Sequence, residues 1–477
     1  MSGAERYDLC VVGAGSAGLS VAAGAAQLGL RTVLVEAGRM GGDCLNTGCV
    51  PSKALLAAAK LMHAHRHPHL GGVPPHEFET RRGAVNAHVQ ATIAALAPHD
   101  SVARFEGLGV RVVRGRASFI GTDSLTVAGE TIRARDIVLA VGSRPAMPEI
   151  PGLDPREVLT NESLFDVETV PEHLVVIGGG PIGIEMAQAH RRLGAGVTVL
   201  QRGTILPRDE PELVDGVRQD LRAEGIEIIE EAEILSVRHA AGRHEVEIAG
   251  SEGPRVIVGS HILVATGRRP NLEGLDLSRA GVDVNAAGIV VDTGLRTSNR
   301  HVHAIGDCTG GPRFTHVAGY HAGIVIRRLA FRLPAKVDYA ALPWVTYADP
   351  ELAHVGLTLA EAKARHGDRA RSLIKPLSGL DRAVAEGRTD GMLKLVALPN
   401  GRILGCSILA PAAGEMIGLW CLAITQKMTL RDLTSLVLPY PTLSEISKQA
   451  AGEWYRPTLF GARTRRLVKI LRKLPNW

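Results

Sequence analysis

The sequence predicts an α/β protein built from two copies of one nucleotide-binding unit and closed by an α+β C-terminal region. Three observations predict it. A strand, a glycine-rich turn, a helix and a second strand follow one another from Tyr7, and the same succession returns from His173. Just after the first of these units, the run GGDCLNTGCVPSKALL (Gly41 to Leu56) sets two cysteines at the entry to an Ala/Leu-rich helix. From about Ala340 the alternation of helix and strand gives way to strands and hairpins.

The 477 residues suffice for about three domains and a large core. The net charge of +5 is too mild to point to nucleic acid, and much of the basic excess falls in the last segment. Six cysteines in this length do not make a disulfide framework. The opening MSGAERYD carries no apolar signal-peptide core, and no uninterrupted apolar run reaches membrane-spanning length. A cytoplasmic enzyme is the expectation.

Tyr7 to Val12 is a short apolar run and reads as a strand. GAGSAG follows, with Gly13, Gly15 and Gly18, then an Ala-rich helix, then RTVLVE ending at Glu36. In such a Rossmann-like unit the first glycine makes the turn and the second lets backbone approach a pyrophosphate. The third lets the helix pack on the strand, and an acid about 20 residues on accepts from a ribose hydroxyl. The phosphate sits at the helix N-terminus. Dinucleotide binding is expected.

Cys44 and Cys49 come next. On a regular helix five steps would carry them about 7.5 Å along the axis and onto different faces. A disulfide wants its Cα atoms roughly 4.4–6.8 Å apart. Gly48 and Pro51 are the residues able to distort the turn and bring the sulfurs together. The segment therefore reads as a strained, reducible pair at a helix start, where the dipole lowers a thiolate's pKa. Buried structural cysteines or half a zinc site are the alternatives, and no other cysteine offers ligands at matching spacing.

The whole string resembles the redox-active disulfide signature of the pyridine nucleotide-disulfide oxidoreductases, the class of dihydrolipoyl dehydrogenase, glutathione reductase and mercuric reductase. The resemblance runs from roughly Tyr7 to Ala451. It implies a homodimer with active sites shared across the interface, FAD on the first unit and a nicotinamide donor on the second. It implies that Cys44 is the outer interchange thiol, that Cys49 lies against the flavin, and that Lys53 and Glu185 pair beside the flavin ring. The domains implied are 1–150 with 267–338 for FAD, 151–266 for NAD(P), 339–460 for dimerisation, and 461–477 as a tail.

MHAHRHPHLGGVPPH follows, with His63, His65, His67, His69 and His76. Alternate histidines on a helix do not share a face and Pro68 breaks the spacing, so no metal site is expected. A β-rich stretch then ends in DIVLAVGSRPAMPEIPG, whose Gly142 turn resembles the family's exit from the first domain.

In the second unit His173 to Ile177 is the strand. GGGPIG supplies Gly178, Gly180 and Gly183, followed by Glu185, a helix and VTVLQRG. Where an NAD site offers an acid, this chain has Gln201, then Arg202, with Arg208 close behind. An acid repels a 2′-phosphate and arginine pairs with it, so NADPH is expected over NADH. The other reading makes both arginines plain surface charges.

The chain returns to the first domain at about Gly267, in ILVATGRRPN. Ala304 to Asp307 resembles the family's Ala-x-Gly-Asp, which implies Gly306 and Asp307 beside the flavin ribityl chain. Cys308, Cys406 and Cys421 read as packed cysteines. The helix after Phe314, including His316, is expected near the flavin.

The family's closing motif is His-Pro-Thr with a glutamate shortly after, and the histidine handles the substrate thiol's proton from the partner subunit. Here LPYPTLSE keeps Pro441, Thr442 and Glu445 but holds Tyr440 in place of the histidine. A phenol titrates near ~10 against ~6.5 for imidazole. Mercuric reductases are similar in carrying a tyrosine there, and a soft metal ion needs thiolates more than a base. They also carry a C-terminal cysteine pair, and this chain has no cysteine after Cys421. The expected substrate is a small thiol or disulfide, or a thiol-bound metal ion. The alternatives are a dihydrolipoyl dehydrogenase-like enzyme and a quinone reductase or oxidase that bypasses the disulfide.

The tail GARTRRLVKILRKLPNW sets Leu467, Leu471 and Leu474 near one helical face, among Arg465, Arg466, Lys469, Arg472 and Lys473, and includes Trp477. Such a basic amphipathic helix can rest on an anionic membrane surface or pack on its own dimer.

Overall fold

A computed structural model describes residues 6–68, 70, 72–250 and 253–475. His69 and Trp477 lie outside these. The chain divides into two compact units, Met1–Ala59 with Glu79–Arg202 and Glu231–Asp338, and Lys60–Phe78 with Gly203–Glu230 and Tyr339–Trp477.

The first unit is built on parallel strands whose residues are buried on both faces, as near-continuous Val/Leu/Ile runs require. Arg6–Val12 pairs in parallel with Thr32–Glu36 on one side and Glu130–Leu139 on the other. Val302–Ala304 adds in parallel to Glu130–Leu139 and so carries the Gly306–Asp307 turn to the same end of the sheet as the first glycine turn. Helix α1 (Ser16–Gln27) buries Val21, Ala22 and Ala25, small residues that let it lie close to the strands. Helix α2 (Gly42–Asn46) is a single turn, and α3 (Cys49–Arg66) follows it.

The second nucleotide unit repeats the plan. His173–Ile177 is flanked in parallel by Gly196–Leu200 and His261–Val264, and α4 (Pro181–Leu193) follows its glycine turn. The two turns GSRP and GRRP are not loose. Ser143–Pro145 and Arg268–Pro270 pair as an antiparallel ribbon. Helix α5 (Thr315–Leu329) ends this part of the chain.

The second unit has a five-stranded antiparallel sheet in the order Pro343–Thr346, Glu351–Gly356, Ile403–Ala410, Met392–Ala397, Arg371–Pro376. Its core holds the fully buried Trp420, whose indole N–H donates to Ser447 Oγ at 3.0 Å. Lys394, on the strand beside the central one, is only 2 % exposed. It pairs with Glu210 at 2.8 Å and Glu212 at 2.6 Å, and Glu210 also accepts the Leu359 N–H at 2.5 Å. Helices α6 (Asp381–Ala385), α7 (Glu445–Leu459) and α8 (Ala462–Leu471) belong to this unit.

Candidate active site

The cysteine turn breaks where glycine was expected to break it. Cys44 lies in α2 and Cys49 is the first residue of α3. Between them the Thr47 N–H donates to Asp43 O at 2.8 Å, and Thr47 Oγ1 donates to Asp43 Oδ1 at 2.9 Å. A Cβ on Gly48 would stand 2.9 Å from Asp43 O and the same distance from Oδ2, so only glycine fits. Pro51 sits in the first turn of α3, where its missing N–H costs nothing.

Both cysteines are free thiols and they hydrogen-bond to each other. The pair is polarised. Cys49 is lowered to about 6, first by the hydrogen bond from Cys44, then by Thr315 and the charge of Lys53, against burial and Asp43. Cys44 is pushed up by donating that bond and by burial. The shared proton therefore stays on Cys44 and the thiolate forms on Cys49. Thr315 Oγ1 lies 3.3 Å from Cys49 Sγ. One turn along α3, Lys53 Nζ donates to the buried Glu185 of α4 at 2.7 Å, so the expected pair is present.

The glycine turns carry the nucleotide geometry twice. Gly13 and Gly178 have φ of +105° and +118°. A Cβ on Gly18 would stand 1.8 Å from Gly13 O, and one on Gly183 would stand 1.9 Å from Gly178 O. Gly180 meets nothing within 4 Å, and Gly15 only the Cα of Gly42 at 3.8 Å, which leaves the middle of each turn open to a pyrophosphate. Glu36 Oε2 accepts the Ala14 N–H at 2.5 Å, and Gln201 Oε1 accepts the Gly179 N–H at 2.8 Å. The carboxylate and the amide thus hold equivalent positions. Both turns fit a dinucleotide. Gly18→Ala is expected to cost flavin retention while leaving pyridine-nucleotide binding, and Gly183→Ala the reverse. Flavin absorbance after gel filtration and nucleotide titration by calorimetry would check both.

Asp307 Oδ2 accepts from Ser143 Oγ at 2.5 Å. Arg268 donates to that same hydroxyl at 2.8 Å and to Ser143 O at 2.8 Å, and lies 3.3 Å from Asp43. Asn161 donates to Asp43 Oδ1 at 2.9 Å and Thr47 O at 3.0 Å. Arg268, Ser143, Asn161 and Thr315 were not singled out from sequence, whereas their neighbours Gly142 (φ +68°) and Gly267 (φ +132°) were. The available signal was an arginine two places after Gly142 and directly after Gly267. Gly306 has φ +70°, and its N–H donates to Nδ1 of the buried His321 at 3.1 Å, an imidazole that burial pushes down to about 4.

The remaining residues named from the sequence are placed as follows. Cys308 is buried, its thiol within 3.2 Å of Ile305 O and pushed up to about 12 by burial. Cys406 and Cys421 pack in the core of the second unit. His316 is exposed and stacks on Phe314 at 5.1 Å. Arg202 and Arg208 are exposed. His63 and His67, four apart, do face each other, with ring centroids 4.9 Å apart. Among the described residues no group of three or more His, Cys, Asp or Glu is placed to hold a metal ion, and no helix is long and apolar enough to cross a membrane. Tyr440 is 70 % exposed and its hydroxyl donates to Asp381 Oδ2 at 2.6 Å, while Glu445 Oε2 accepts the Thr442 N–H at 3.2 Å. None of the helix α8 residues is buried.

Residues 7–322 match the pyridine nucleotide-disulphide oxidoreductase family and 342–451 match its dimerisation domain. The chain belongs to this family. The mercuric reductase of Acidithiobacillus ferrooxidans is 37 % identical over 95 % of this chain and 83 % of its own length. The dihydrolipoyl dehydrogenase of Geobacillus stearothermophilus is 34 % identical over 94 % of this chain and 96 % of its own. Among solved structures, the Cu(II) complex of the HOCl-induced flavoprotein disulfide reductase RclA from Escherichia coli has a TM-score of 0.84 at 26 % identity, covering 94 % of this chain and 99 % of that one. The protein is an FAD-dependent disulfide oxidoreductase of the mercuric-reductase-like branch, uses FAD and NADPH, and works as a homodimer.

Proposed function

We propose that this enzyme passes electrons from NADPH through FAD to the Cys44–Cys49 pair and on to a thiol-bound soft metal ion, Hg(II) first among candidates, or to a small thiol or disulfide. The cysteine pair at the head of α3 carries the reading, with Thr315 Oγ1 3.3 Å from Cys49 Sγ and the Lys53–Glu185 pair one turn on. Bound FAD supplies the two-electron relay between the nicotinamide and the disulfide. The glycine turns at Gly13–Gly18 and Gly178–Gly183 cradle the two pyrophosphates, with Asp307 toward the flavin ribityl chain. Lys53 favours the Cys49 thiolate, and Glu185 holds Lys53 in place. Cys44 keeps the proton and is the thiol that meets substrate. When Cys44 and Cys49 bind a soft ion as thiolates, the two carrier groups leave as the ion transfers, and the proton given up by Cys44 goes to one of them. Tyr440 and Glu445 are contributed by the partner subunit, and the four-part division at 150, 266, 338 and 460 follows from the same reading.

Anaerobic NADPH consumption with thiol-complexed Hg(II), lipoamide, glutathione disulfide and a quinone tests this. NADPH-dependent loss of Hg(II) that depends on Cys44 supports it. Turnover with quinone alone that survives loss of Cys44 would instead make the enzyme a quinone reductase. Tyr440→His should raise lipoamide turnover, within the ~10²–10⁴-fold that a tuned base contributes. Flat activity would remove the account of the missing base.

Arg202 and Arg208 pair with the 2′-phosphate of NADPH in this reading. Arg202→Ala should raise KM for NADPH about tenfold, the scale of one charge-assisted contact, and leave KM for NADH unchanged. Equal effects on both nucleotides would make these arginines surface charges only.

The enzyme is placed in the cytoplasm, with the tail touching the anionic inner face of the membrane. Leu467, Ile470, Leu471 and Leu474 are each more than half exposed, and no acid follows Glu453. Cosedimentation with vesicles containing anionic lipid, lost on deleting 461–477, is the expected result. Full recovery in the supernatant overturns the contact.

A further inference from the structure

We infer that Asp381 positions Tyr440 for catalysis, an inference that rests on Tyr440 reaching substrate as proposed above. The hydroxyl of Tyr440 has one proton, and that proton points at Asp381 Oδ2 over 2.6 Å, the length of a charge-assisted O–H···O⁻ bond. The carboxylate in Tyr440's own segment does not do this. Glu445 turns its Oε2 to the Thr442 N–H and closes the entry to α7. Asp381 comes from a different element, as the first residue of α6. Among the described residues no arginine, lysine or histidine pairs with it, since the neighbouring Arg382 is engaged with Glu386 at 2.5 Å. Its charge is thus available to the phenol.

A phenol oxygen is one donor and an acceptor. With its donor committed to Asp381, Tyr440 offers substrate an acceptor, held in one orientation by a carboxylate beside it. That is the form needed to receive a substrate S–H or to face the shell of a thiol-bound ion. It is the wrong form for donating a proton to a leaving group. The proton balance closes within the pair. When a substrate thiol gives its proton to Tyr440 Oη, the phenol's own proton passes to Asp381, leaving thiolate, neutral phenol and neutral carboxyl. The reverse sequence resets the pair when a product thiolate is protonated. The pair stands where the family holds an imidazole, as a weaker acceptor than imidazole, which leaves Tyr440→His room to raise lipoamide turnover.

The test uses full-length dimeric enzyme and four variants: Asp381→Ala, Asp381→Asn, Tyr440→Phe, and Asp381→Ala with Tyr440→Phe. Three readouts are taken: kcat/KM with thiol-complexed Hg(II) and with lipoamide, reduction of the Cys44–Cys49 disulfide by one equivalent of NADPH, and the ultraviolet titration of Tyr440 obtained by difference from Tyr440→Phe. Asp381→Ala should lower kcat/KM about tenfold and the double variant no further, because coupled residues are not additive. Asp381→Asn keeps an acceptor and should recover most of the loss. Reduction of the disulfide should be unchanged in all four. The carboxylates acting on the phenol are Asp381 and, more weakly, Glu445, so the phenol should titrate at lower pH in both Asp381 variants. A full loss in Tyr440→Phe with no loss in Asp381→Ala, and no change in the phenol's titration, overturns the role of Asp381 and leaves Tyr440 in the site. Normal turnover in Tyr440→Phe overturns the placement of Tyr440 itself and the inference with it.

Discussion

Cys44→Ser is expected to abolish NADPH-dependent turnover of lipoamide and of thiol-complexed Hg(II), by at least about 10³-fold, the scale seen when a covalent nucleophile is removed. Cys44 holds the proton of the pair, lies half-buried rather than sealed, and sits in a one-turn helix whose break at Gly48 frees it from the frame of α3. A serine fits its volume, so the turn should survive. FAD content and NADPH affinity should stay at wild-type values, because neither glycine turn is touched. The introduced hydroxyl can donate to Cys49 as the Cys44 thiol does, so the Cys49 thiolate should still form near the present value of about 6. Stopped-flow reduction by NADPH, followed by addition of each acceptor, separates the two halves of the cycle. Full turnover with the disulfide acceptors in Cys44→Ser would remove the pair from the electron path.

Lys394→Met is expected to destabilise the protein by about 3–5 kcal/mol, the cost of leaving a buried charge without its partner. Lys394 and Glu210 are 2 % and 3 % exposed by side chain, so neither can turn to water, whereas Glu212 is 46 % exposed and can. The loss should therefore come almost wholly from Glu210. Adding Glu210→Gln should recover most of it, since a neutral amide can still accept the Leu359 N–H. Chemical denaturation monitored by circular dichroism and tryptophan fluorescence would measure both. A stable Lys394→Met variant would mean that water reaches Glu210.

The sequence was most informative where sterics leave one residue possible. Gly18, Gly183 and Gly48 each occupy a point where a methyl group would meet a backbone oxygen, and such points announce themselves as glycine at fixed spacing. The Lys53–Glu185 pair was legible only through resemblance, since 132 residues separate them. Arg268 left only its place directly after Gly267 as a sign. Its role depends on the ribbon joining Ser143–Pro145 to Arg268–Pro270, a pairing too short to leave a periodic pattern. Lys394 was hidden for the opposite reason. A lysine in a strand reads as solvent-facing, and its counter-charge lies 184 residues away on the edge of a helix. Asp381 belongs to the same class: five residues of helix carry little pattern, and Tyr440 is 59 positions on.

Glu36 and Gln201 grip the backbone of their respective turns in the same way, one through a carboxylate oxygen and the other through an amide oxygen. A turn of this kind is thus gripped by either side chain. Folding constrains the shape of that side chain and leaves its charge to be set by the ligand. The choice of reductant is then separable from the architecture, and a lineage of such enzymes can move from one cellular electron supply to another by exchanging the side chain at 201 and the arginines after it, with no strand or helix rebuilt.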